Sequence, residues 1–337
     1  MDGDEGMSME ARQSRDGDTD SVVLGNTAVE VTVLVGKGAD IISITDRDSG
    51  VNPLWKARWG NHHVHSALAH ESSGSAWLAS CTGGWNVLFP GGGAESTVGG
   101  AIQPMHGEAS IVPWSIESIG VGDDGPSVTM RTHLTRSPFK LERTVRLVGE
   151  TSEVVVTDTA INEGGESFPF TWTHHPTLGP PFLSDRCAIT TNATEVVADE
   201  TYDLPGIPLP AGSRMPWSEA KAALGPVVGR GMPRQLLSYL LFQETTAWYR
   251  VTNQELDLSF EARWLTSEMP YAWFFQEMDA TAGYPWFSNT YIMALEPSTT
   301  WPGRGLAHAV DIDRVQWLSP GEAKSVSISV SFGRAER

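Results

Sequence analysis

Two-residue alternation of apolar and polar side chains is the strongest constraint in this sequence. It runs through Val128-Thr129-Met130-Arg131-Thr132-His133-Leu134, through Leu141 to Leu147 and from Glu153 to Ala160. It closes the chain at Val326, Ile328, Val330 and Phe332, with serines between them. A period of two puts alternate residues on opposite faces of a strand, so these segments read as half-buried antiparallel strands. Val29–Val35 and Ile41–Thr45 add strands near the start. Helical signal is confined to Ser218–Leu224, while Arg234–Phe242 suits either helix or strand. Glycine and proline number 34 and 21 of 337 residues, about 16% together against roughly 12% on average, which suits short strands joined by many turns. Residues 1–20 are polar and aperiodic, and read as a disordered acidic tail. From residue 21 to 337 no linker or fixed-period repeat divides the chain. The expected architecture is a single, mainly β domain, either a large sandwich or a barrel.

Charge narrows the function classes. With 23 basic and 41 acidic residues the chain carries a formal charge of −18, which gives it no long-range attraction for nucleic acid or anionic membrane. No apolar run reaches the length of a membrane span. Two cysteines, Cys81 and Cys187, cannot make a disulfide framework. The first twenty residues hold seven acids and two arginines, the reverse of a secretory or transit signal. A cytoplasmic protein is expected.

Four segments place polar or titratable side chains in apolar, turn-rich surroundings. Cys81 to Gly93 combines Trp85 with a glycine run that allows a tight loop or a close backbone approach to a ligand. Met105-His106-Gly107-Glu108 leads into an alternating stretch from Ala109 to Ile116. Phe170 to Phe182 contains the adjacent pair His174-His175, of which only one can face a given pocket from a strand. Tyr291 to Thr300 contains Glu296, read as ending an apolar strand because Pro297 stops the ladder. A carboxylate at such a position can have its pKa tuned for proton transfer. Thirteen tryptophans serve either a large β core or a surface for stacking sugar rings.

In this order the segments resemble the aldose 1-epimerase (galactose mutarotase-like) family, over roughly Ser21 to Phe332. The resemblance rests on His106-Gly107, His175-Pro176-Thr177 and Leu295-Glu296-Pro297. It implies an all-β, galactose mutarotase-like β-supersandwich of antiparallel sheets and cofactor-free exchange of the α and β anomers of an aldose. By that resemblance Glu296 is the general base on the anomeric hydroxyl and His175 the general acid on the ring oxygen. His106 would hold the sugar, with Trp85, His174, Trp273 and Gln276 as further substrate contacts. The partner is a small-molecule sugar, and the chain acts as a monomer or homodimer. Carboxylate and imidazole are the side chains most easily poised for such proton transfers near neutral pH.

The sequence departs from the family pattern in three places. No arginine follows the first glycine loop, Thr177 stands where an aromatic residue is usual, and the acid that grips sugar hydroxyls has three candidates, Asp257, Glu261 and Glu277. Three alternatives stay open. One is an enzyme of this fold acting on a sugar phosphate or other anionic sugar, drawing on Arg131, Arg136, Arg143 and Arg146, which otherwise read as solvated faces. Another is a non-catalytic carbohydrate-binding or sensing sandwich. The last is a metal site at His62-His63-Val64-His65, with His70 nearby.

Overall fold

The computed structural model describes residues 9–60, 72–201 and 208–335. Alternation becomes strand wherever the sequence carries it. In order across one sheet lie β14 (Cys187–Thr191), β18 (Thr246–Asn253), β19 (Leu258–Leu265) and β23 (Ala323–Gly333). Then follow β11 (Val154–Asn162), β10 (Phe139–Leu147), β9 (Gly125–His133) and β8 (Ser115–Gly122). Register places Val128, Val145, Val156 and Ile328 in one row across four strands, all fully or nearly fully buried.

The second sheet begins with β1 (Glu10–Asp16), β2 (Thr19–Gly25), β3 (Val29–Leu34), β4 (Asp40–Asp46) and β5 (Trp85–Leu88). It continues through β13 (Thr173–Leu178), β21 (Tyr291–Ser298) and β20 (Tyr271–Met278) to β17 (Arg234–Leu241), β15 (Glu195–Ala198) and β16 (Arg214–Pro216). Two small ribbons pair β6 (Ser96–Val98) with β7 (Ala101–Gln103) and β12 (Phe168–Phe170) with β22 (Gln316–Leu318). Short helices are α1 (Ser73–Ser80), α2 (Trp217–Leu224) and α3 (Leu306–Asp311). One continuous hydrophobic cluster takes residues from the facing sides of both large sheets, so the molecule is a β-sandwich of two antiparallel sheets. No helix among the described residues is long and apolar enough to cross a membrane.

The structure differs from the sequence reading at several places and resolves one segment, Arg234–Leu241, that the sequence left open between helix and strand. Residues 10–16, expected in a disordered tail, form the edge strand β1, paired with β2 at all seven positions. An edge strand is held by ladder hydrogen bonds and leaves its side chains to solvent, so polar composition does not forbid it. Residues 109–114 are turn and coil, and the strand starts at Ser115. Pro297 does not end β21, which runs on to Ser298. Arg234–Leu241 is strand, set between β15 and β20. Arg143, expected on a solvated face, is fully buried, in phase with Leu141 and Val145 and bound to Asp158 on the neighbouring strand. His62, His63, His65 and His70 lie outside the described residues.

Candidate functional site

Strands β13 and β21 build the centre of the site. They pair at Thr173↔Ser298 and again at Thr177↔Ala294, so counting inward from either end sets His175 opposite Glu296. The ladder is open between those pairs, where Pro176 and Pro297 cannot donate. Opposite residues of antiparallel strands face the same side, and here that side is the outer face of the eleven-stranded sheet. His175 Nε2 lies 3.6 Å from Glu296 Oε1. Trp273 on β20 is opposite Glu296, and Tyr239 on β17 is opposite Trp273, which continues the row.

Above this row is a cleft of about 450 Å3, walled by Trp55, Trp77, Trp273 and Trp286 and reached by His106, His175, Asp199, Arg304 and Glu296. The Trp77 ring, on α1, lies 4.6 Å from that of His106 and 6.2 Å from that of His175. His106 has φ 62°. That bend lets its backbone N–H donate to Gly93 O while its Nδ1 accepts from Gly93 N. With Nδ1 an acceptor, Nε2 of the neutral ring carries the proton and is a fixed donor. The glycine run serves packing of chain on chain. A Cβ on Gly93 would lie 1.9 Å from Gly303 O, at a φ of 88°, and one on Gly92 would lie 2.7 Å from the Trp273 ring.

Electrostatics follow from burial. Glu296 is 2% exposed, and its Oε2 has no hydrogen-bond partner, so desolvation raises its pKa well above the usual carboxylate range. Desolvation lowers His175 to about 4 and His106 to about 3, the latter helped by neighbouring His175. Thr177 Oγ1 lies 2.9 Å from His175 Nδ1 and orients the ring. Burial thus disfavours the charged form of both members, raising Glu296 and lowering His175, and leaves an acid and a base in contact whose titrations are coupled. Among the described residues no group of three or more His, Cys, Asp or Glu is arranged to hold a metal ion.

Of the residues singled out from sequence, the structure brings together His106, His175, Trp273 and Glu296. It places His174, Trp85 and Gln276 elsewhere. His174 and Trp85 face the sandwich interior, where Trp85 Nε1 donates to His174 Nδ1 at 3.1 Å and His174 Nε2 lies 3.3 Å from Asp158 Oδ2. Gln276 is three residues from Trp273 on one strand and therefore points to the opposite face. The three candidate acids are engaged elsewhere. Asp257 accepts from Ala335 N, Glu261 pairs with Arg250 and Arg263, and Glu277 accepts from Ala280 N, Thr281 and Gln235. The acid that lines the cleft with Glu296 is Asp199, which accepts from Tyr239 Oη and from Thr201 N and Oγ1. It was missed, together with Trp55, Trp77 and Trp286, since none sits in a sequence pattern that marks it. Arg131, Arg136, Arg143 and Arg146 are all absent from the cleft lining.

A family model described as a domain of unknown function, DUF4432, matches residues 19–332. No curated protein matches by sequence. Among solved structures, the chain is similar to a proposed aldose 1-epimerase from Klebsiella pneumoniae subsp. pneumoniae MGH 78578, with TM-score 0.76, 13% identity and coverage of 96% of this chain and 83% of that one. It is similar also to a galactose mutarotase-like protein from Clostridium acetobutylicum, with TM-score 0.70, 13% identity and coverage of 97% and 99%. A galactose mutarotase related enzyme from Lactobacillus acidophilus gives TM-score 0.64 at 15% identity, over 93% and 97%. At these identities the likeness is one of fold.

Proposed function

We propose that this chain, which belongs to the DUF4432 family, is an aldose 1-epimerase that exchanges the α and β anomers of a neutral aldose. The observation that carries the reading is the buried His175–Glu296 pair, 3.6 Å apart on adjacent strands and facing a tryptophan-walled cleft. Anomer exchange moves two protons. Sugar binding shifts the pair to its carboxylate–imidazolium form, a proton passing between groups 3.6 Å apart, and Glu296 then takes the proton of the anomeric hydroxyl as His175 gives one to the ring oxygen. The C1–O5 bond opens, the aldehyde turns about C1–C2, and the ring closes on its other face with the two roles reversed. The hydroxyl on C1 supplies the partner that Glu296 Oε2 lacks in the free protein, which favours the ionised carboxylate once sugar is bound. His106 Nε2–H is a neutral donor for a sugar oxygen, and Trp77 and Trp273 offer apolar faces to the ring. A neutral substrate fits the charge of the cleft. Arg304 is the one guanidinium among its described lining residues and is paired with Glu200, while Asp199 and Glu296 share the same walls.

Magnetisation-transfer NMR of anomer exchange on glucose, galactose and other neutral aldoses tests the reading. Glu296→Gln and His175→Gln should each lower the rate roughly 10²–10⁴-fold, the usual contribution of one positioned acid or base. His174→Gln, on the other face of β13, should leave kcat within a few-fold of wild type. No acceleration by wild type, with sugar binding retained, would instead make this a binding protein.

A further inference from the structure

Gln276 opens on a second cavity, of about 340 Å3, on the core side of the eleven-stranded sheet where the edge strand β14 and helix α2 meet it. The body of this cavity is apolar, formed by Trp217, Leu224, Val227 and Phe274, and its cationic side chains are Arg186, Lys221 and Arg234. Two features set it apart from a packing defect. Gln276 is 2% exposed, yet its Oε1 has no donor, and its Nε2 has only the weak acceptor Met293 Sδ at 3.7 Å. A buried amide oxygen without a donor is uncommon in a folded protein.

The second feature is charge. In a chain of net charge −18, none of these three cations makes an ion pair among the described residues. The Arg234 guanidinium is partly desolvated, which lowers its pKa, and its one hydrogen bond is to the Pro226 carbonyl at 3.2 Å. Asp185 is the only carboxylate among the lining residues. A partly buried guanidinium without an acid is poised for a charge-assisted bond to an anion.

Strand geometry sets the spacing of the two polar anchors. Leu236 is opposite Gln276, so Arg234 lies two residues away along the neighbouring strand and on the same face. As diagonal neighbours on one face their Cα atoms are about 7–8 Å apart, so both side chains enter the same cavity from adjacent strands.

We propose that this cavity binds a small hydroxylated organic anion. Its aryl body lies against Trp217, Leu224, Val227 and Phe274, its carboxylate meets Arg234, and its hydroxyl donates to Gln276 Oε1. Lys221 and Arg186, exposed at the mouth, draw the anion in. The site is separate from the cleft, since Gln276 and Phe275 point to opposite faces of β20 and only Phe275 lines the cleft.

Isothermal titration calorimetry of the full chain with 4-hydroxyphenylacetate tests this. Wild type should bind it, and should bind 4-hydroxyphenylacetamide and phenylacetate at least about tenfold more weakly. Arg234→Gln and Gln276→Leu should each weaken the acid by a similar factor. Lys221→Gln, at an exposed position, should weaken it a few-fold and flatten its salt dependence. Glu296→Gln and saturating sugar should leave the affinity unchanged. The proposal is overturned by no binding of the acid to wild type, by equal affinity for the acid and its amide, by wild-type affinity in these cavity variants, or by loss of binding in Glu296→Gln. Because calorimetry reads binding and Glu296→Gln is a silent control, failure here is distinct from failure of the anomer-exchange reading.

Discussion

Replacing Arg143 with methionine should destabilise the fold while leaving the cleft chemistry intact. Arg143 is fully buried; its Nε and Nη2 donate to both Asp158 oxygens at 2.7 and 2.6 Å, and its Nη1 donates to Ala39 O. This pair ties the two sheets together, because Ala39 precedes β4 in one sheet and Asp158 lies on β11 in the other. Removing one member of a buried, bidentate pair leaves an uncompensated carboxylate and costs about 3–5 kcal/mol. With Arg143 in place, His174 has its pKa lowered to about 4, chiefly by desolvation, although its Nε2 lies 3.3 Å from Asp158 Oδ2. With an unfolding entropy of roughly 2 cal/mol/K per residue over a chain of this size, the loss corresponds to a Tm lower by about 6 °C. Urea unfolding followed by tryptophan fluorescence measures it, and the double variant Arg143→Met/Asp158→Leu provides the control. A well-packed apolar replacement of both partners should return stability to within about 2 kcal/mol of wild type. A single variant within about 1 kcal/mol of wild type, or a double variant no better than the single, would refute the account of this pair.

Acid should weaken the fold. Desolvation lowers His106 to about 3 and His174 and His175 to about 4, so the unfolded chain binds more protons than the folded one between pH 6.5 and about 4, and stability falls as pH drops through that window. Over pH 6.5 to 4.5 the three histidines cost about 2 kcal/mol each. Glu296, whose folded pKa is raised by desolvation, contributes stability that is lost as pH rises above about 4.5, and so offsets part of this fall on the way down. The net fall should appear as an earlier urea midpoint, and it should steepen in Glu296→Gln; a flat profile would contradict the buried neutral histidines. Gly303→Ala would put a Cβ 2.6 Å from the Trp273 ring and should displace this cleft wall, raising KM about tenfold in anomer-exchange kinetics. Gly120→Ala, in open space, is the control, and an unchanged KM in Gly303→Ala would remove Trp273 from the substrate wall.

The strands were legible because their signal is local, although that signal left sandwich and barrel both open. The alternation in Leu141–Leu147 and Val154–Ala160 specifies strands with one buried face whatever they pair with, and even Arg143 and Asp158 sit in the apolar phase. Parity carried part of the site as well. It allowed only one of His174 and His175 into the cleft, and it separated Gln276 from Trp273 once both were on one strand. The sequence did not decide which parity faces the cleft. That depends on β5 and β21 pairing with β13 from about 90 and 120 residues away in the chain, which sets His175 against Glu296 and turns His174 with Trp85 inward. Asp199, Trp77 and Trp286 enter the cleft from separate elements with no shared motif. Strand propensity and binary pattern are properties of neighbours in sequence, whereas a binding site is a meeting of residues fixed by strand register, and register is determined only when the whole sheet closes on its core.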